Sequence, residues 1–443
     1  LRTKLTFNSI FMMGIICLLA LSVWQMPSAF SNEVFSNEEG QVSLEVATQT
    51  AMRDNPELNV IREKLKVARA RIEGIALLDN PKLETEFAGG IDSNQGLELT
   101  QSFQLGGQRG HQRRIAKIHL EKVNAELAEA SRLLTKLVKI AFYELAIVQE
   151  KLKLVKEVIQ HSEQIADIAQ FRFETGDISV TQANLANIQL QSALREAVKL
   201  EGKSQLIQLE LNALMGTPLE TARIAVGGLS DFSTASFGNP QTTPDASSKL
   251  RLDALKTHAL KRRNDLKSVQ LNAELTDNEL RLAKAANIPD LSVGALAQRG
   301  GSEKALGVKF TIPLPFFDRN RDEINAAKAQ QQVDAIEISS QKRQISREVM
   351  AAFLSLKTAE KTLKFYEGDS VKLLNENLKL TRTAYELGEA KLLEVILMQN
   401  EFVEIRFDYL NALAAYYKAL AQLEATIDTP ISGQPSAVSH HPQ

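Results

Sequence analysis

The chain has 443 residues, of which 24% are charged and 6% aromatic, and a net charge of −2. Its Lys and Arg residues alternate with Glu and Asp, which gives no basis for a nucleic-acid interface. Length alone suits two or three ordinary domains, but the 22 glycines and 12 prolines are few and clustered, which favours long helices over many small units.

Arg2 and Lys4 precede an apolar run over 10–23, and Ala29-Phe30-Ser31 offers small residues at −3 and −1. This reads as a secretory signal peptide over 1–31. A short membrane anchor is the alternative, but the run falls below the ~20 apolar residues of a spanning helix. Cys17, the only cysteine, lies inside it, so disulfides and thiolate ligands are not expected in the exported chain. Gly14-Ile15-Ile16-Cys17 lacks the small-residue context of a lipid-modified cysteine. Beyond residue 31 no apolar run approaches membrane-helix length.

The first repeat is expected over 32–216. Residues 32–41 read as a loose polar segment. Ser43 starts a helix, Asn55-Pro56 breaks it, and a second helix follows with Leu58, Ile61, Leu65, Ala68, Ile72 and Ile75 on one stripe. Asn80-Pro81 ends that helix. The period then becomes two. Leu83, Thr85 and Phe87 alternate with Lys82, Glu84 and Glu86; Leu97, Leu99, Phe103 and Leu105 alternate with Glu98, Thr100, Ser102 and Gln104. That predicts an amphipathic β-hairpin over 82–105. Each arm is close to the ~9–11 residues of a membrane-spanning strand. From His111 to Thr175 neither glycine nor proline intervenes. At about 1.5 Å per residue, such a helix of about 65 residues reaches roughly 97 Å. Its apolar stripe, from Leu120 through Leu134 to Ile159, steps by threes and fours as in a coiled coil. A glycine turn at 174–178 reverses it, and the returning helix runs to Met215.

A connector rich in Gly, Pro, Ser and Thr fills 217–249, with small strands expected near 223–226. The order then repeats over 250–428. Asn264-Asp265-Leu266 echoes Pro56-Glu57-Leu58, and Ile288-Pro289-Asp290-Leu291 echoes Asn80-Pro81-Lys82-Leu83. Pro81 and Pro289 stand as far apart as Leu58 and Leu266, which points to an internal duplication. A second hairpin is expected over 290–312. One long helix is expected from Asp322, with only Gly368 inside, to a second glycine turn at 386–390. The last helix ends near Ile427, and 429–443 reads as a disordered tail.

Four strands per chain cannot close a barrel, and open edges are costly in lipid. Three copies would supply twelve strands, an even number like those of bacterial outer-membrane barrels. The expected fold is therefore mostly α with a membrane β-barrel: a trimeric channel-tunnel whose 12-stranded barrel continues into a long α-helical barrel. Gly176 and Gly388 have a local role, since a tight helix–helix turn takes a residue at positive φ.

In this order and spacing, the chain resembles the TolC-type outer-membrane efflux proteins, particularly the branch paired with heavy-metal resistance-nodulation-division pumps. The resemblance covers nearly all of 43–428. It is carried by Asn55-Pro56-Glu57-Leu58, Asn80-Pro81-Lys82-Leu83, Gln104-Leu105-Gly106-Gly107-Gln108-Arg109, Ile312-Pro313-Leu314-Pro315-Phe316-Phe317-Asp318-Arg319-Asn320, and the turns Glu174-Thr175-Gly176-Asp177 and Tyr385-Glu386-Leu387-Gly388-Glu389. It implies a homotrimer in the outer membrane with its helical barrel in the periplasm. It further implies an inner-membrane RND-type pump, and a periplasmic adaptor (membrane fusion protein) docking near Thr175, Gly176, Asp177, Leu387, Gly388 and Glu389. The family's pore acids sit six residues after each turn glycine, which gives Gln182 and Glu394 as the constriction. Tyr385 is the gate candidate, by packing or by hydrogen bonding between hairpins. Some members hold the mouth shut with an arginine two residues after the second turn glycine; here that position is Ala390.

The function implied is passive conduction of substrates, heavy-metal cations foremost, from pump to exterior. Drug efflux and type I protein secretion remain alternatives. A periplasmic adaptor would show one helical hairpin and a lipoyl-like β region, and a periplasmic coiled-coil protein leaves the four alternating strands unexplained. No catalytic constellation is present: no Gly-x-Ser-x-Gly, no phosphate-binding glycine loop. No cofactor and no metal site are expected. His111 and His119 lie eight apart, two helical turns, and His440-His441 is a tail pair.

Overall fold

The computed structural model describes residues 40–75, 78–88, 94–227, 251–300, 303–317, 319–366 and 369–431. The expected signal peptide with Cys17, most of the connector, Gly368 and the tail from 432 lie outside the described residues.

The chain begins with β1 (Gln41–Val42), α1 (Leu44–Asp54) and α2 (Pro56–Ile75). The Ser43 hydroxyl accepts the Val46 N–H at 3.3 Å and so caps α1. Asn55 does more. Its carbonyl oxygen accepts the N–H groups of Glu57 and Leu58 at 3.0 and 3.1 Å, while its amide nitrogen donates to the Leu214 carbonyl at 2.9 Å. Pro56 needs no donor at a first helical position. There follow β2 (Lys82–Ala88), β3 (Asn94–Phe103), α3 (Gln108–Glu174), α4 (Val180–Met215) and β4 (Ile224–Ala225). α3 has 67 residues, about 100 Å at the usual rise.

The loose segment expected through Gln41 is partly ordered. β1 pairs in parallel with β4, Gln41 opposite Ile224 and Val42 opposite Ala225. A two-residue strand is too short to show a period, so only the burial of Val42 betrays it.

The second half contains α5 (Leu252–Arg262), α6 (Asn264–Ala285), β5 (Leu291–Gly300), β6 (Glu303–Thr311), α7 (Arg321–Lys364), α8 (Asp369–Glu386) and α9 (Leu392–Ile427). The single helix expected from Asp322 to the second tip is thus two. α7 closes where the N–H groups of Phe365 and Tyr366 bond carbonyls three residues back, Thr362 at 3.2 Å and Leu363 at 3.0 Å. That tightening satisfies terminal carbonyls and ends the α-type ladder.

Each half builds a core. Val138, Phe142, Leu145, Leu211 and Met215 pack with α1 and α2 in the first half. Ile345, Val349, Leu356, Leu413 and Tyr416 pack with α5 in the second. Burying such a side chain contributes about 1.5–3 kcal/mol. The halves meet where Tyr143 stacks on Tyr417, ring centres 4.2 Å apart, and where Lys139 bonds the buried Glu424 at 2.7 Å. Where the first half has Asn55, the second has Arg263, also buried. Its guanidinium bonds Asp265 and Glu348, each at 2.9 Å. Burial opposes the charge on Arg263, but the two carboxylates outweigh it and hold the group above its ordinary range.

The two hairpins join into one antiparallel sheet ordered β2-β3-β5-β6. The register places Leu83 opposite Leu99, Leu97 opposite Ala297, Ala295 opposite Val308 and Val293 opposite Phe310. This gives one apolar face, and it is bare: Leu306 is 89% exposed, and Leu83, Leu97, Leu99, Val308 and Phe310 are exposed too. The opposite face is polar. Ser102 bonds Ser292 at 2.8 Å, and Lys309 reaches Glu98 at 3.1 Å. Lys309 lies opposite Gly294, which lies opposite Thr100. A Cβ on Gly294 would stand 3.0 Å from the Thr100 hydroxyl and 3.3 Å from the Glu98 carboxylate, so glycine leaves room for this cluster. Among the described residues no helix is long and apolar enough to cross a membrane.

Candidate functional site at the hairpin tips

The two helical reversals share one backbone design. At the first, Gly176 has φ +83° and at the second Gly388 has φ +84°. Asp177 N–H donates to the Arg172 carbonyl at 2.8 Å, and Glu389 N–H to the Ala384 carbonyl at 2.8 Å. Gly176 and Gly388 bond three residues back, to Phe173 and Tyr385, each at 3.0 Å. This is the glycine-terminated helix end in which a left-handed residue lets two amides satisfy terminal carbonyls. The left-handed φ, rather than lack of space, demands glycine at 176: an added Cβ there meets nothing within 4 Å. Thr175, Asp177, Leu387 and Glu389 are exposed beside the glycines, as are the apolar side chains of Phe171 and Val180.

The tips pack on each other. Ile165, Ala166, Ala169 and Ala186 of the first hairpin form one cluster with Tyr385, Leu392, Val395 and Ile396 of the second. Ala390 packs at its edge, where a long cationic side chain would have to leave.

A residue that sequence reasoning passed over ties the tips together. The Arg172 guanidinium donates to the Tyr385 carbonyl at 2.9 Å and lies 4.9 Å from the centre of the Tyr385 ring. The Tyr385 carbonyl already accepts the Gly388 N–H, so the guanidinium adds a second bond at the C-terminal end of α8, where the helix dipole is negative and favours a cation. Arg172 therefore caps α8 from the other hairpin. Nothing in its local pattern announces this, because its partner is 213 residues away. The Tyr385 ring is buried, 2% exposed, and its hydroxyl has no hydrogen-bond partner. Of the two roles expected for Tyr385, the structure shows packing against Arg172 and no bond from the phenol. Burial pushes that phenol up from its ordinary value, and the neighbouring Arg172 opposes the shift. Deeper in, Arg382 donates to Gln399 at 3.3 Å, and Gln399 donates to Ser162 at 2.9 Å, a second polar link between the hairpins.

Gln182 and Glu394 occupy equivalent places: each is the third residue of a returning helix, and both are exposed. They differ in what they do there. The Gln182 side-chain oxygen accepts the Ser179 N–H at 3.0 Å and caps α4. At the start of α9 the equivalent of Ser179 is Lys391, whose side chain makes no cap. Glu394 is an acid in the first turn, where the helix dipole favours it.

A bare apolar sheet face, a polar opposite face and two helical hairpins in duplicate form a specific combination, and comparison with known proteins identifies it. The model of the "Outer membrane efflux protein" family matches residues 47–217 and 255–428. The chain belongs to this family. It is an outer-membrane efflux channel protein; the family is one of channels and not of enzymes. The chain is 23% identical over 396 residues to the cobalt-zinc-cadmium resistance protein CzcC of Cupriavidus metallidurans, covering 88% of this chain and 91% of that one. It is 25% identical over 322 residues to the nickel-cobalt-cadmium resistance protein NccC of Alcaligenes xylosoxydans xylosoxydans, covering 67% of each. Among solved structures it resembles CusC, a transmembrane channel, with a TM-score of 0.71 at 16% identity over 90% of this chain and 95% of that one. It also resembles VceC of Vibrio cholerae, with a TM-score of 0.67 at 17% identity over 88% and 97% of the two chains. The fold expected from the sequence is therefore the fold of the family, and the outer-membrane location follows with it.

Proposed function

We propose that this protein is the outer-membrane outlet of a tripartite efflux system that exports heavy-metal cations. The observation that carries the reading is the four-stranded sheet with a bare apolar face and two unpaired edges, β2 and β6. Such edges are costly in lipid. Closure by three copies, β6 of one beside β2 of the next, gives a twelve-stranded barrel with the Glu98–Lys309 face inside. The helices then continue the bore, and the tips form its far mouth, about 100 Å away by the length of α3.

The exposed tip residues Thr175, Asp177, Leu387 and Glu389 are the docking surface for a periplasmic adaptor, which couples the outlet to an RND-type inner-membrane pump. Three copies of Glu394 form the charged constriction, with Gln182 contributing an uncharged ring. Like charges in a narrow mouth focus a field that favours cations. The named functions of CzcC and NccC support metal cations as cargo. The mouth opens by parting of the two tips of each chain, which Arg172 resists.

Deletion of the gene and measurement of cobalt, zinc, cadmium and nickel tolerance test the cargo. Tolerance is expected to fall and to return with the intact chain. Unchanged metal tolerance with lost drug tolerance, or with a lost secreted protein, overturns the metal reading. A monomer in the soluble periplasmic fraction, in place of a heat-labile trimer in the outer membrane, overturns the channel reading.

A further inference from the structure

We propose that Leu314, Phe316 and Phe317 form a lipid-contacting foot at the headgroup boundary, just beyond the last paired row of the sheet. The inference rests on the outer-membrane assignment and is independent of what is exported.

The first observation is continuity. On β6 the apolar face is built by Leu306, Val308 and Phe310, and the strand ends at Thr311. The alternation does not end there. Ile312, Leu314 and Phe316 carry it onward, all exposed, and Phe317 beside them is fully exposed. The bare surface thus extends past the point where strand pairing stops, towards the helices.

The backbone is suited to an apolar setting. Pro313 and Pro315 have no N–H. The Phe316 N–H donates to the Leu314 carbonyl at 2.9 Å, a one-residue turn about Pro315. Three of the four amide positions from 313 to 316 therefore ask nothing of a neighbour. Irregular backbone meeting lipid must meet this requirement. The same prolines prevent a strand of a second copy from pairing along the segment. Lipid is the occupant that needs no such pairing.

The first repeat shows that the foot is not a necessity of the fold. Its connector is polar and packed. Gln108 is buried and donates to Asp290 at 3.3 Å and to the Ile288 carbonyl at 3.4 Å, and Gly106 lies against the Ala285 carbonyl with no room for a side chain. The first connector exposes a single apolar side chain, Leu105, whereas the second exposes Leu314, Phe316 and Phe317 together. Exposed Arg319 and Arg321 follow it, where cations meet lipid phosphates. Asp322 and Glu323 come next, in the first turn of α7, where the helix dipole favours acids.

The test uses the full-length channel in vesicles of phosphatidylethanolamine and phosphatidylglycerol whose acyl chains carry bromine at shallow or deep positions. Trp24, the chain's one tryptophan, is changed to Phe throughout, and single reporters are placed by Phe317→Trp, Phe316→Trp and, at the tip, Phe171→Trp. The foot is supported if emission at 316 and 317 is blue-shifted relative to 171 and quenched several-fold more strongly, shallow bromines exceeding deep ones. Quenching at both foot positions no greater than at 171 overturns it. Blue-shifted but unquenched emission means that a second copy covers the segment, and overturns it equally. A channel that exports nothing yet shows shallow quenching leaves the foot standing and sinks only the efflux reading.

Discussion

Removal of the Arg172 guanidinium should unfasten the two tips of each chain. The group donates one good charged hydrogen bond, 2.9 Å to the Tyr385 carbonyl, and a long one of 3.5 Å to the Glu386 carbonyl, and it faces the Tyr385 ring at 4.9 Å. A hydrogen bond to a charged group contributes ~1.5–3 kcal/mol, and a cation over an aromatic face at an exposed site ~0.5–1 kcal/mol. Arg172 is only half-buried, so solvent screening keeps the sum near the lower end, about 2 kcal/mol. That is about thirtyfold in the equilibrium between joined and parted tips. Single-channel recording in a planar bilayer reads this directly. Arg172→Ala should raise the open fraction by about that factor from a mostly closed baseline. Arg172→Lys should fall between, because an ammonium keeps the charge but loses the fork and the stacking plane. If both variants form trimers and their traces match the parent's, Arg172 does not hold the mouth and the argument fails.

Three further outcomes follow from the same geometry. Gly176→Ala and Gly388→Ala both place a side chain at positive φ, at a cost of ~1–3 kcal/mol, and both should weaken cross-linking to the adaptor; only at 388 does the new methyl meet the Arg172 guanidinium, at 3.3 Å, so conductance should rise further there, and equal conductance would count against the tie. Glu394→Gln should reduce the cation preference read from reversal potentials across a salt gradient, and Gln182→Glu should raise it; two unchanged potentials would remove both residues from the pore. At the Arg263 site, burial pushes Asp265 up but its bonds and attraction to Arg263 outweigh this and leave it below the ordinary carboxylate value. A lowered folded value stabilises the native chain above the unfolded value of about 3.9, and that stabilisation is lost as pH falls through the folded one. Thermal melting should therefore decline in acid below about pH 4, and Asp265→Asn should melt lower at neutral pH with a flatter acid limb; parallel curves would refute the pairing.

Much of this was legible in the chain because its signals are periodic or local. A period of two in Leu83–Thr85 and Leu97–Leu99 named strands. Unbroken threes and fours named α3, and isolated glycines named both tips. The parts that escaped depend on contacts between distant segments. β1 exists because Val42 is buried beside Ala225, and no two-residue pattern can show that. The break after α7 falls at Phe365 and Tyr366, just before Gly368, and a lone glycine in a helical pattern does not by itself decide between a tolerated residue and a break. Arg172 sits in a run of mixed polar and aromatic residues and acts on a carbonyl, a group that every residue carries. The sequence therefore located the tips and left their chemistry to the tertiary structure.

The duplication makes this chemistry unequal in a way that bears on function. At the third position of the returning helices, the first repeat places Gln182 and engages it with Ser179. The second places Glu394 behind an N-cap lysine that makes no cap. A side chain committed to its own helix end contributes little to a pore, whereas an uncommitted carboxylate projects a full charge into whatever lies opposite. The same second tip is the one that Arg172 grips and whose buried Tyr385 hydroxyl lacks a partner. In the proposed opening the second hairpin moves against the first, with Arg172 of the first holding one end of the second.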